Sequence, residues 1–313
     1  MFKQVSIRLH WLNVQVTASV VGGGTMKITV TGATGSLGSL VVEHLLARGV
    51  DASDVTATGR DTAKLSVLAE RGVRVIGSDY DDAATLDAAF DGADTLVLVS
   101  SSAIGRRVEQ HANALRAAER AGVQHVVYTS APHADTSPLV LAPEHKATEA
   151  LLVASPIETT VLRNNWYNEN YEQAFGQATA TGTYLASTGA GKVASAARSD
   201  YAEAAAVIAS TGRHRGETLE LAGGVAWDGE EFAAAASRVT GREVRYASVP
   251  AEKYREVLSG AGLDDQVVDF VLALDDDIAH GLLDGPTEVL ADVIGHPTMT
   301  LEDSFSTWFH RES

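Results

Sequence analysis

Thr31-Gly32-Ala33-Thr34-Gly35-Ser36-Leu37-Gly38 follows the short apolar run Lys27 to Thr31 and precedes the amphipathic stretch Ser36 to Arg48. A strand, a glycine-rich turn and a helix in that order are what a pyrophosphate needs. The first glycine allows the tight turn, the second lets the ligand approach the backbone, and the third lets the helix pack against the strand. The pyrophosphate then rests on the positive end of the helix. A glycine triplet alone also suits an ordinary turn, so the flanking sequence decides.

Working outward, apolar or β-branched runs recur at Val55 to Gly59, Val73 to Ser78, Thr95 to Ser100, His125 to Ser130 and Thr159 to Arg163. None shows strict polar alternation, as expected of parallel strands buried on both faces. Between them lie helix-length segments, among them Asp61 to Arg71 and Gly105 to Ala121, and Gly49, Gly72 and Gly122 stand where helix C-caps are expected. The repeated units predict an α/β fold with a Rossmann-like doubly wound parallel sheet. After Arg163 the alternation stops. Expected strands at Lys192 to Arg198, Glu217 to Ala222 and Arg242 to Ala247 mix with helices at Ala251 to Leu258 and Leu263 to His280, a smaller mixed α/β C-terminal region. The organisation expected is an NADP-binding domain over 26–163 and a substrate-covering region over 164–313, interleaved with it.

Residues 1–25 break from this pattern. Asn13 and Gln15 interrupt the apolar centre, no A-x-A-like cleavage site precedes Met26, and Gly22-Gly23-Gly24 leads directly into the first strand. The expectation is a loosely ordered extension or a start assigned upstream of a natural one at Met26, rather than a secretion signal.

Composition narrows the function. Among 313 residues, 24 basic against 41 acidic side chains give a net charge of −17, which repels a nucleic-acid backbone. There is no cysteine, so thiolate nucleophiles and thiolate metal sites are excluded. Ten scattered histidines lack two-His helical spacing, so no metal is expected. No apolar run reaches the length of a membrane span. A cytoplasmic protein that does not bind membranes is expected, with self-association into a homo-oligomer left open. The acidic run Asp275 to Asp277 reads as a solvated helix face.

The end of the second strand selects the dinucleotide. An acidic residue there would hold a ribose 2′-hydroxyl, and a cation would hold a 2′-phosphate. Arg60 stands at that place, with Lys64 one turn on, and a guanidinium can clamp phosphate through paired bonds. Asp61 beside it leaves the NAD alternative on the table, but NADPH is the expected cofactor. Asp79 and Tyr80, ending the third strand, are expected near the adenine. Ser100, Ser101 and Ser102, ending the fourth, are expected beside the cofactor's central part, although the triplet would serve equally as a helix cap.

The motif Gly32, Ala33, Thr34, Gly35, Ser36, Leu37 and Gly38 with Arg60 resembles the atypical short-chain dehydrogenase/reductases of the NmrA-like branch. Three further stretches carry the likeness: Tyr128 to Pro138, Arg163-Asn164-Asn165-Trp166-Tyr167-Asn168-Glu169-Asn170-Tyr171, and Gly189 to Tyr201. Together they are similar to bacterial NADPH:quinone oxidoreductases of the second type. The resemblance implies hydride transfer from NADPH to a quinone. It also admits a non-catalytic, NADP-binding redox sensor of the NmrA type.

Typical short-chain dehydrogenases pair a Tyr acid with a Lys four residues later, yet none of the eight tyrosines here has Lys at that spacing. Counted from Ser130, the Tyr slot falls near Leu141 and the Lys slot near His145. A quinone tolerates this loss, because hydride addition gives a phenolate-like anion with a proton affinity near that of Tyr, at about 10. Water can protonate it. His145 is then expected to orient the nicotinamide ribose, with Lys146 competing. Trp166 and Tyr167 are expected as flat walls at the nicotinamide end, and Asn165, Asn168, Glu169 and Asn170 as its polar partners. A capped aromatic turn joining the two regions is the plainer alternative for that segment.

Overall fold

The computed structural model describes residues 26–311, and the expectation for residues 1–25 lies outside them. The chain opens with β1 (Ile28–Val30), α1 (Ser36–Ala47), β2 (Val55–Gly59) and the short α2 (Ser66–Glu70). β3 (Arg74–Gly77), α3 (Ala83–Phe90), β4 (Thr95–Leu98), α4 (Arg107–Ala121), β5 (His125–Ser130), α5 (Ala142–Ala154) and β6 (Glu158–Asn164) follow. All these strands run parallel, and with β8 (Thr218–Leu221) they form one sheet ordered β3-β2-β1-β4-β5-β6-β8. The order reverses between β1 and β4, and crevices that hold ligands in open α/β sheets form at that switch.

Burial explains the strand composition. Every residue of β1, β2, β4 and β5 is buried, because helices cover both faces. One face carries Val41, Val42 and Leu45 of α1 against the alanine-rich helix α7 (Arg198–Thr211). The small side chains of Ala202, Ala205, Ala206 and Ala209 let α7 approach closely. The other face holds α3, α4 and α5 around Phe90, Leu96 and Tyr128.

The C-terminal region has its own, aromatic core. α6 (Glu172–Thr181), α8 (Gly229–Thr240) and α12 (Leu301–Arg311) enclose Phe175, Phe232, Phe305 and Trp308, with Phe175 stacked on Phe305 at 4.3 Å. β7 (Thr183–Ala186) and β9 (Arg245–Ser248) pair in a small parallel sheet, and Tyr184 stacks on Phe232 at 3.8 Å. α9 (Ala251–Gly260), α10 (Asp265–Ala279) and α11 (Val289–Ile294) complete the region. It also gives β8 and α7 back to the large sheet, so the two halves of the chain are interwoven.

Two expectations need correction. The segment Lys192 to Arg198 is no strand, because its backbone is bonded piecemeal to three different partners. Val193 donates to the Trp227 carbonyl, Ala194 to Leu283 and Ala196 to Trp166, and α7 begins at Arg198. No single neighbour runs alongside it to form a ladder. The acidic run on α10 is not a solvated face either. The Asp275 carboxylate accepts from the Ser187 amide and hydroxyl at 2.7 and 3.0 Å, and Asp277 accepts from the Val140 amide at 2.9 Å. Of the three only Asp276 is exposed, since its two neighbours satisfy loops that meet the helix.

Candidate active site

The turn after β1 is built as its glycines require. Gly32 has φ +61°, and a Cβ on Gly38 would lie 2.4 Å from the Gly32 carbonyl oxygen, so α1 can begin this close only with hydrogen at that position. The Gly35 amide donates to the Gly32 carbonyl at 2.9 Å, and the buried Ala33 amide ties the turn to Thr58 of β2 at 2.9 Å. No side chain caps α1. Its first-turn amides and positive dipole end are thus left for an anion. Beneath the turn, the Thr31 hydroxyl donates to the Val97 carbonyl and accepts from the Val99 amide at 3.0 Å, clasping β1 to β4. The Tyr80 hydroxyl sits 2.7 Å from Thr31 Oγ1 and 2.9 Å from the Val99 carbonyl, and burial keeps it protonated.

Above this clasp opens a cleft of about 330 Å³. Gly32, Thr34, Gly35, Ser36, Leu37, Gly38, Arg60, Asp79, Tyr80, Ser100, Ser101 and Ser102 all line it, so residues distant in sequence meet at the switch point. Arg60 is exposed at its edge. Lys64 is not in the lining and lies 3.8 Å from Asp61, while Ala33 is buried behind the turn. The cleft adds Gly59, whose missing Cβ leaves room for Thr34: a Cβ there would lie 2.7 Å from Thr34 Cγ2.

Sequence reasoning missed a layer under the serines. The Ser101 carbonyl accepts from Arg107 Nε at 2.6 Å, its amide donates to His111 Nε2 at 3.0 Å, and its hydroxyl donates to Gln110 at 2.5 Å. Three residues of α4 thereby fix one residue of the cleft. Arg107 also lies 3.2 Å from Glu144 of α5. Accepting from Ser101 requires a neutral His111, and burial, with the nearby charges of His145 and Arg107, holds its pKa at about 3. The readable signal is polar residues at i, i+3 and i+4 (Arg107, Gln110, His111) continuing into apolar Ala114 on one buried stripe.

At the far end, α5 starts at Ala142 with Pro143 in its first turn, where proline is tolerated, and Leu141 stands at its N-cap with no hydroxyl to offer. His145, one turn in, is buried, with Nδ1 2.8 Å from the Tyr128 hydroxyl. Burial raises the pKa of the Tyr128 phenol and keeps it protonated, and the two side chains share this one hydrogen bond. Burial, then the charge of Arg107, lowers the His145 pKa to about 3. Lys146 is exposed. Arg163, ending β6, binds Glu149 of α5 in a fork at 3.0 and 2.6 Å and reaches Glu220 of β8 at 2.9 Å and Asp135 at 2.8 Å. These contacts fix the loop after β5 against its neighbours.

The segment after β6 divides into occupied and unoccupied groups. Asn168 donates to the Met299 and Thr300 carbonyls and to Ser304, and accepts from Ser195 at 2.6 Å. Asn165 bonds the Leu283 carbonyl and the Trp166 amide, and Glu169 takes the Arg198 amide at the start of α7. Asn170 is exposed. Tyr167 packs edge-on to Tyr201 at 5.2 Å with the Arg198 guanidinium 5.1 Å from its ring centre. By contrast, the Trp166 indole nitrogen and the Asn164 carbonyl oxygen are buried without a protein partner. Buried polar atoms rarely stay so. One is a donor and the other an acceptor.

Among the described residues no helix is long and apolar enough to cross a membrane, and no three metal-binding side chains gather. Residues 24–280 match the NmrA-like family. Quinone oxidoreductase 2 of Escherichia coli (strain K12) is 42% identical over 283 residues, covering 90% of this chain and 99% of that one. The solved structure of NADPH-dependent quinone oxidoreductase from Escherichia coli complexed with NADPH has a TM-score of 0.87 across the same shares of the two chains. The Citrobacter sp. triphenylmethane reductase complexed with NADP(H) is 33% identical, with a TM-score of 0.86 over 90% of this chain and 100% of that one.

Proposed function

The chain belongs to the NmrA-like family, and from that premise we propose that it is a cytoplasmic NADPH-dependent quinone reductase that works without a Tyr and Lys acid pair. The observation that carries the proposal is the cleft at the switch point, whose uncapped helix end, glycine cradle and unpaired Arg60 fit a dinucleotide with a 2′-phosphate. Once bound there, NADPH supplies the hydride.

The rest follows from the chain's own groups. The first-turn amides of α1 hold the pyrophosphate, Arg60 takes the 2′-phosphate, and Asp79 with Tyr80 borders the adenine. Ser100, Ser101 and Ser102, fixed from below by Arg107, Gln110 and His111, guide the chain of the cofactor toward α5. His145 offers its Nε2 proton to the nicotinamide ribose, with Tyr128 holding the ring in that tautomer. Trp166 and Tyr167 wall the nicotinamide end. The unpartnered donor of Trp166 and acceptor of Asn164 match the two halves of a carboxamide, whereas Asn165, Asn168 and Glu169 act by holding the segment in place.

In this reading none of these groups acts as a general acid. Leu141 has no proton to give, and the Tyr128 hydroxyl is buried and engaged with His145 inside the core. Such a site suits an acceptor whose reduced form is a weak base, and catalysis comes from holding the quinone at near-attack distance. The test is loss of NADPH absorbance when benzoquinone or a naphthoquinone is added to the purified protein. No consumption above the uncatalysed rate would refute the assignment.

A further inference from the structure

A second cavity, of about 570 Å³, lies between α8, α11, the start of α12 and the loop at Gly224 and Val225. It shares no lining residue with the cofactor cleft, and its size falls within the roughly 300–1,000 Å³ typical of small-molecule sites. Its walls are largely apolar: Trp227, Ala234, Ala235, Ala291, Pro297 and Leu301. The indole N–H of Trp227 is already donated to Ser195 at 2.8 Å, so that side chain offers only ring surface. Val225 stands at the cavity 64% exposed.

The charges around this apolar space are mostly acidic. Three carboxylates, Glu231, Glu288 and Glu302, face a single cation, Arg238, among the lining residues. Arg238 is bound by Glu302 at 2.6 Å and is thereby neutralised. Glu231 serves the capping box of α8 and lies 3.3 Å from Lys192. Among the described residues no hydrogen bond or ion pair engages the carboxylate of the exposed Glu288, which sits beside Gly224. An anionic ligand would meet an uncompensated carboxylate there, and a neutral one would leave it unused.

We propose that this cavity is a second binding site, separate from the cofactor cleft, for a small aromatic cation. The rings lie against Trp227, Leu301 and the alanines of α8, and the positive charge faces Glu288. A tryptophan ring adds attraction for a cation beyond its apolar area. This site does not depend on the quinone reductase assignment.

The test is calorimetric titration of the whole protein with tetraphenylphosphonium, and with the neutral triphenylphosphine oxide as its uncharged counterpart. The cation is expected to bind saturably, more tightly than the oxide, with a Kd unchanged by saturating NADPH. Ala234→Arg, at an exposed position of α8, places bulk and like charge in the cavity and should weaken binding at least about tenfold. Glu288→Gln should weaken it about two- to fivefold, the range for a partly exposed ion pair. Both variants should keep the melting temperature and NADPH affinity of the parent. Absence of saturable binding, equal affinity for the neutral oxide, displacement by NADPH, or an unchanged Kd in Ala234→Arg would each overturn the proposal.

Discussion

Replacing Gly38 by Ala puts the glycine cradle under direct strain. The added Cβ would sit 2.4 Å from the Gly32 oxygen, 2.6 Å from its carbonyl carbon and 2.9 Å from the Ala33 nitrogen, where ordinary contact begins at 3.4 Å. All three are backbone atoms, so no rotamer change can relieve the overlap. The start of α1 has to retreat from the turn by roughly 1 Å. An amide to phosphate bond near 2.9 Å stretched by that much is lost. Losing one charge-assisted bond costs about 1.5–3 kcal/mol, a ten- to hundredfold rise in the Kd for NADPH. The overpacking should also lower apo-protein stability by about 1–3 kcal/mol. Fluorescence titration with NADPH and a thermal melt read the two effects separately. Gly176→Ala is the control, because Gly176 lies inside α6 with nothing within 4 Å of its missing Cβ. It should leave NADPH binding alone and stabilise the helix by up to about 1 kcal/mol. A Gly38→Ala protein that binds NADPH within twofold of the parent would refute the close-packing argument.

Three further outcomes are expected. Arg60→Ala should cut the preference for NADPH over NADH by about ten- to hundredfold, and an unchanged affinity ratio would show that the 2′-phosphate is held elsewhere. Tyr128→Phe should cost quinone turnover far less than the roughly 10²- to 10⁴-fold expected on losing a general acid, and a collapse of steady-state rate in that range would reveal one. Stability should fall as the pH drops below 6.5, because burial holds His111, His125 and His145 neutral down to about 3, 4 and 3, whereas the unfolded chain protonates them. Each then contributes roughly 1.4 kcal/mol per pH unit between its two pKa values, and the contribution is complete above 6.5. Asp200 and Asp275, raised by burial, act in the opposite sense near the acid end. Urea unfolding at several pH values should therefore show a slope shallower by about one proton in His145→Gln, and an unaltered slope would contradict the buried neutral state.

The large sheet was legible in the sequence because its strands are buried on both faces and read as apolar runs. His125–Ser130 and Val55–Gly59 have the expected bounds. The phosphate turn was legible because glycine is the only residue its backbone admits. The C-terminal region was harder. β7 (Thr183–Ala186) is four residues with no distinctive pattern, and it becomes a strand only because β9 pairs with it across some sixty residues. Alanines of α7 gave no periodic contrast, since nearly every position of that helix is buried. The roles of asparagines could not be read from composition at all. Asn165 and Asn168 are carboxamides in the expected segment, yet their partners Leu283, Met299 and Ser304 arrive from more than a hundred residues away. The spacing of Arg107 and His111 on one helix stripe was readable, but not their role, which depends on Ser101 and on α5.

The most direct test of the central claim sets a quinone against an aliphatic ketone in the same preparation, with NADPH consumption followed under identical conditions. Hydride addition to the ketone makes a strongly basic alkoxide that needs a positioned proton donor, and addition to the quinone does not. The account predicts saturable quinone turnover with ketone turnover at or near the background rate, and no collapse of the quinone rate in Tyr128→Phe. Brisk reduction of the ketone would contradict it, because it would require a positioned acid where the slot holds Leu141 and Tyr128 is buried against His145.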